Sequence, residues 1–198
     1  MPAVTGGLSY LLAPGLAFAW LAGMRVYLTA FAVGIAGARG WIGMPADLHF
    51  LASPWAIGAC ATLAAVECVV DKVPGLDGGW DLLHTAVRIP AGAGIGAALL
   101  AHGARIDARS WLIAGAAAAF AHTIKTATRR RINTSPEPLS NWSASLAEDL
   151  ACAAALVLAF THPRWALALA AGASLAIATV AARSFRAPGR PGPVGAAA

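Results

Sequence analysis

Apolar residues run along this chain in stretches too long and too unbroken for the surface of a soluble helix. A helix needs about 20 mostly apolar residues to cross a hydrocarbon layer roughly 30 Å thick. Six stretches meet that need between clusters of Pro, Gly or charge. The first lies within Leu8 to Ala38, whose only charge is Arg25, with Pro14 and Gly15 marking its true start or a kink. The second runs from about Pro54 to Asp71, the third from Trp80 to about Ala101 with Pro90 expected to bend it, and the fourth from about Ser110 to Ile132. The fifth, Asn141 to Phe160, and the sixth, Trp165 to Ala182, are joined by the turn Thr161, His162, Pro163, Arg164 and so are antiparallel neighbours. The pattern predicts an all-α, polytopic helical membrane protein with six transmembrane helices in residues 1–183. Residues 184–198 form a basic Pro/Gly/Ala-rich tail that reads as disordered and suited to touching anionic headgroups.

Two finer features accompany the spans. Gly92 and Gly96 form a small-xxx-small face, and Ala fills the runs Ala114 to Ala121 and Ala168 to Ala173, which lets helix backbones approach closely in lipid. A Pro-x5-Trp pair, Pro74 with Trp80 and Pro136 with Trp142, recurs at a shift of 62 positions, the trace of a parallel internal repeat or a coincidence.

Composition narrows the class. Of 198 residues, 59% are apolar and 12% charged, against roughly 45–50% and 25% in an average soluble domain. The mean hydropathy of +0.67 agrees, and an ordinary soluble enzyme is excluded. Cys60, Cys68 and Cys152 form no C-x-x-C pair and lie in apolar runs, so neither a disulfide framework nor a zinc knuckle is expected. Met1 to Met24 carries no charge and lacks the basic segment of a secretory signal. With six crossings both termini share one face with Lys72, Arg129, Arg130, Arg131, Arg183, Arg186 and Arg190, against Arg39, Arg105, Arg109 and Arg164 on the other. The positive-inside rule then predicts a multi-pass cell inner-membrane protein with both termini cytoplasmic.

Ionisable side chains inside such spans are expensive and point to a site. Glu67 and Asp71 fall at i, i+4; Asp81, His84 and Arg88 at i, i+3, i+7; His122, Lys125 and Arg129 repeat that spacing; Asn141, Ser145, Glu148 and Cys152 follow i, i+4, i+7, i+11 with Asp149 beside them. At a rise of roughly 1.5 Å per residue, these groups lie about 6–17 Å beyond their helix ends, with Arg25 near mid-membrane. They can converge in one polar pocket facing the cytoplasm. Glu67, Asp71, Asp81, Glu148 and Asp149 against Arg25, Arg88, Lys125 and Arg129 leave a net charge of −1. That sign predicts room for a proton or a cation, with Glu67 and His84 as first contacts and Glu67, Asp71 and His84 as the candidate metal ligands. The same near-balance fits a structural reading in which the charges pair only to lock helices together.

The polar segment Asn133, Thr134, Ser135, Pro136, Glu137, Pro138, Leu139, Ser140, Asn141 follows three arginines. Turn and N-cap chemistry explains it; anion binding by its hydroxyls, a helix N-terminus and the arginines is the sharper alternative. The chain has no G-x-S-x-G, H-E-x-x-H, P-loop or Gly-rich dinucleotide turn, so an enzyme is the less favoured class and no cofactor is implied. The few basic residues lie at a membrane surface, which excludes nucleic acid as a partner. The expected partners are the lipid bilayer and a small ion, proton or anionic headgroup, with a homo-oligomer open.

Gly23-Met24-Arg25-Val26-Tyr27, Ser53-Pro54-Trp55, Glu67 with Asp71-Lys72-Val73-Pro74, Asp81 with His84-Thr85 and Arg88, and Asn133-Thr134-Ser135-Pro136-Glu137-Pro138 with Ser140-Asn141 and Glu148-Asp149 carry a resemblance. They resemble a family of small bacterial integral membrane proteins catalogued as domain of unknown function 4126. The likeness spans roughly Leu8 to Phe160, and the Asn-Thr-Ser-Pro-Glu-Pro run is its most specific part. It implies a membrane location and a grouping of these residues, and no reaction. The expected function is a transporter or channel for a small solute or ion, coupled to a proton or cation. The alternatives are an interaction protein with ion-paired helices, or a phospholipid-headgroup enzyme or flippase.

Overall fold

The computed structural model describes residues 8–73, 76–132 and 138–186. They form seven α-helices and one 3-10 segment, with no strand among the described residues. The helices are α1 (Leu8–Met24), α2 (Val26–Ala38), α3 (Pro54–Val70), α4 (Leu76–Leu100), α5 (Ala108–Ile132), α6 (Pro138–Thr161) and α7 (Pro163–Arg186), with the 3-10 segment at Ala46–Ala52. The all-α expectation holds. Local signals set the ends. After α2, Trp41 N–H reaches Ala36 O and Gly40 N–H reaches Gly37 O, a Schellman closure that needs the left-handed φ of +67° at Gly40. Ser53 accepts from Ala56 N–H and Pro54 opens α3. Asp107 accepts from the Ser110 N–H and hydroxyl at the start of α5, which holds its carboxyl below the usual carboxylate range.

α1 is the central helix. Ala13, Ala17, Ala19, Leu21 and Ala22 are all buried, because α4, α5, α6 and α7 pack around it. Small residues make that possible: a Cβ on Gly96 would stand 2.7 Å from both Ala19 and Ala114 Cβ, and one on Gly92 would stand 2.6 Å from Ala118 Cβ. Thus the Gly92/Gly96 face is the seam where α1, α4 and α5 meet. The order of contacts fixes the directions. Gly96 meets Ala114, Gly92 meets Ala118 and Thr85 meets His122, so α5 runs against α4; Gly15 meets Gly96 and Ala22 meets Gly92, so α1 does too.

The first expected span departs from the sequence reading. Pro14 lies inside α1, and the break falls at Arg25, which leaves the helical region with φ −143° and ψ 79°. Arg25 meets Asp71 at the end of α3, whereas Gly34 packs on Leu51 and Ile57 near its beginning, so α2 runs antiparallel to α3. Glu67 and Asp71 step along α5 from Lys125 to Arg129, so α3 shares the direction of α5 and of α1. The chain therefore reverses at Arg25. α1 and α2 form a helical hairpin whose tip lies inside the bundle, and Leu8 and Arg186 lie at opposite ends of it. Six full crossings would have put them at the same end. The physical reason is the guanidinium: three carboxylates gather at Arg25 and favour a backbone turn there over burial of an unpaired cation in a continuous helix.

Among the described residues one helical stretch, Leu82–Leu100, is alone long and apolar enough to cross a membrane; Ala46–Ala52 with Pro54–Val70, bent by 70°, qualify together. Pro74 and Pro136 of the sequence repeat, and the tail from residue 187, lie outside the described residues; Trp80 and Trp142 each occupy the fifth position of their helix.

Candidate functional site

The hairpin tip ends in a cluster of charges. Arg25 contacts Asp71 (Nη1 to Oδ2, 2.9 Å), Glu148 (3.4 Å) and Asp149. Lys125 contacts Asp71 at 2.9 Å, Glu148 at 3.2 Å and Glu67 at 3.7 Å, and its Nζ donates to Met24 O, the carbonyl end of α1. Arg129 donates to Glu148 at 2.7 Å and to Asp71 O at 3.0 Å, linking α5 to α3 and α6. Arg88 pairs with Glu67. Glu67, Asp71 and Arg88 are completely buried, as Lys125, Arg25 and Arg129 nearly are.

Among the described side chains, five cations stand against four carboxylates. Lys72, read from sequence as a loop anchor, bonds Asp149 at 2.9 Å and both the carbonyl and the sulfur of Cys68. Lys72 is a cation that the sequence count of −1 left out, and the Asp81 side chain in that count lies outside the described residues.

The other expected site residues fall in three groups. His122 flanks the cluster: Arg88 Nη1 lies 3.5 Å from His122 Nδ1 and Thr85 Oγ1 2.7 Å from its Nε2. Since a guanidinium only donates, Nδ1 accepts and the imidazole proton sits on Nε2, donated to Thr85. His84 stands apart, stacked on Trp80 at 3.9 Å and edge-on to Tyr27, with Nδ1 bonded to Trp80 O. It is not a first contact of the cluster. No three His, Cys, Asp or Glu side chains converge as metal ligands among the described residues, so Glu67, Asp71 and His84 do not form a metal centre. Ser145 is fully buried, with its Oγ lacking a hydrogen-bond partner. Asn133, Ser135 and Glu137 lie outside the described residues, as does the Asn141 side chain.

Beside the cluster is a cleft of about 270 Å³. Trp20, Ile124, Cys152, Ala155 and Leu169 form its apolar walls. Lys125, Arg129 and Glu148 also line it. It opens at the bundle surface, where Ala147, Ala151 and Leu169 are exposed. Helical periodicity puts Cys152 on the polar stripe of α6 but carries no sign of a hollow next to it.

The family model described as Domain of unknown function (DUF4126) matches residues 12–183, and the chain belongs to that family. No curated protein and no solved structure matches.

Proposed function

For this DUF4126 chain we propose the role of an integral membrane transporter for a small anionic solute, with the Arg25–Lys125–Arg129 cluster as its binding site. The observation that carries the reading is polarity turned inside out. Arg88, Lys125 and Glu67 are buried, while Leu82, Leu112, Leu150 and Val157 are 63–73% exposed. Water would reverse that distribution, and lipid favours it. Tryptophans support it: Trp41, Trp55, Trp111 and Trp165 follow or open helices at one end of the bundle, and Trp80 and Trp142 open α4 and α6 at the other, as interfacial belts do.

In this reading α3 to α7 make five crossings and α1–α2 is a re-entrant hairpin. Lys72, Arg129 to Arg131, Arg183 and Arg186 mark the cytoplasmic end, which leaves the amino terminus on the far side, in place of the two cytoplasmic termini expected from six spans. A broken helix pair with its tip at mid-bundle is the arrangement by which transporters bring helix ends to a charged solute. The cluster takes a monovalent anion, which exchanges with the Glu148 carboxylate at Arg129 and Lys125. Of the carboxylates held by Arg129 and Lys125, Glu148, 14% exposed where Glu67 and Asp71 are buried, is the one able to leave, and once released it takes up a proton. Uptake of anion and proton is thereby coupled.

The test is flux into vesicles reconstituted with the purified chain, loaded with a pH dye and given inward gradients of chloride, nitrate, acetate or phosphate. At least one anion enters faster than into empty vesicles, with a luminal pH change that Glu148→Gln abolishes. A folded protein that moves none of them and no protons overturns the transporter reading. A structural role is the second reading, favoured by the mutual pairing of every carboxylate in the cluster.

A further inference from the structure

We propose that the solute of this site reaches the buried cluster from the cytoplasmic end, between the end of α3 and α6, past the Lys72–Asp149 ion pair. The inference rests on the membrane reading above and adds the way into the same site. Exposure across the cluster rises in one direction. The side chains of Arg88, Lys125, Glu67 and Asp71 are 0–1% exposed and those of Arg25 and Arg129 3%, whereas Lys72 is 20% and Asp149 23% exposed. Asp149 is the twelfth residue of α6, about 16 Å along the helix from Pro138 at the usual rise per residue. Charge exposed to hydrocarbon at that depth is costly, so the uncovered part of these two side chains faces water.

Packing explains why the way in lies there. The seam of α1, α4 and α5 is closed by Gly92, Gly96, Ala19 and Ala114, small residues that bring backbones into contact. By contrast α3 packs on α2, and α6 on α7 and α1. What joins α3 to α6 are long polar side chains: Lys72 bonds Asp149, and Arg129 bonds both Asp71 O and Glu148. Such a joint parts by rotation of a side chain, with no backbone packing to break. The Lys72–Asp149 pair is its most exposed link, and water-exposed ion pairs are the weak ones. When it opens, Asp149 keeps Arg25, and the approach to Glu148, the preceding residue of α6, is cleared. The cleft is the other approach to Glu148, but its apolar walls offer a hydrated solute nothing in exchange for its water.

Native cysteines mark the two approaches. Half-buried Cys68 has its Sγ 3.0 Å from Lys72 Nζ, whereas buried Cys152 lines the cleft. Cys60, two turns earlier on α3, belongs to neither. The test labels the full chain in its membrane with a membrane-impermeant, sulfonate-bearing methanethiosulfonate and reads each cysteine by peptide mass. Inverted membrane vesicles present the cytoplasmic end to the reagent and intact spheroplasts the other. Cys68 gains the adduct in inverted vesicles and not in spheroplasts; Cys60 and Cys152 gain none in either, and all three gain it after denaturation. The labelled chain, its helical circular dichroism retained, loses the anion flux on reconstitution because the adduct blocks the route. An adduct on Cys152 but not on Cys68, on neither of them in the folded protein, or on Cys68 from the spheroplast side overturns the proposal. Flux that persists with Cys68 fully labelled overturns it as well. The flux reading fails separately: Cys68 labelled as expected in a chain that moves no anion before labelling overturns the transporter reading alone.

Discussion

Removing the Glu67 carboxylate isolates the energetics of the buried cluster. Glu67 and Arg88 are both fully buried and ion-paired, and Lys125 Nζ lies 3.7 Å from the same oxygen. Glu67→Gln preserves shape and deletes the charge, leaving two cations with one carboxylate fewer. Stranding a buried charge costs about 3–5 kcal/mol, and a chain of this size loses about 2–4 °C of melting temperature per kcal/mol. The expected fall, read by thermal scanning in detergent, is therefore about 6–20 °C. Arg88→Met removes the opposite member and falls by a similar amount. In the Glu67→Gln/Arg88→Met double variant neither charge is stranded at that pair, so its loss is smaller than the sum of the two single losses by about 0.5–3 kcal/mol. Two single variants melting within 2 °C of wild type, or a strictly additive double, refute the claim that these charges lie in a low-dielectric interior.

The helix seam and the hairpin give two further expectations. Gly96→Leu drives a side chain into Ala19 and Ala114 and lowers the melting temperature by about 2–12 °C, from 1–3 kcal/mol of overpacking; Gly172→Leu, with open space around the added Cβ, leaves it unchanged, and equal melting of the two variants refutes the close packing of α1, α4 and α5. An epitope fused ahead of Met1 is removed by protease added outside intact spheroplasts while one fused after Ala198 is protected, and protection of both restores six crossings.

How much of the fold and the cluster is legible in the sequence depends on periodicity. The stripes through Glu67 and Asp71, through His122, Lys125 and Arg129, and through Ser145 and Glu148 sit at helical spacing, so their convergence is readable from residue order alone. Cluster charge is not. Lys72 follows the last turn of α3 and reads as a surface anchor, and only the fold shows its ammonium turned inward to Asp149. His84 shares the stripe of Arg88 one turn away, yet the nearer Trp80 ring captures it. The hairpin escapes notice for a related reason: thirty-one residues with a single arginine fit one long span, and the signal for reversal at Arg25 is the set of carboxylates on α3 and α6, far along the chain. The cleft leaves no trace, since a hollow is defined by side chains that stop short of one another.

That reversal at Arg25 also orders the protein in time. Arg25 leaves the ribosome long before Asp149, its partner 124 residues later, and at about 5–20 residues per second the wait is roughly 6–25 s. Trp20 waits longer still, for Ser174 on α7. During that interval the first-made helices hold an arginine with no carboxylate beyond Asp71 to receive it, so the hairpin cannot settle at mid-bundle when it is synthesised. It reaches its buried position once α6 and α7 close around it. The amino-terminal element of the chain is, on this account, the last to reach its native position.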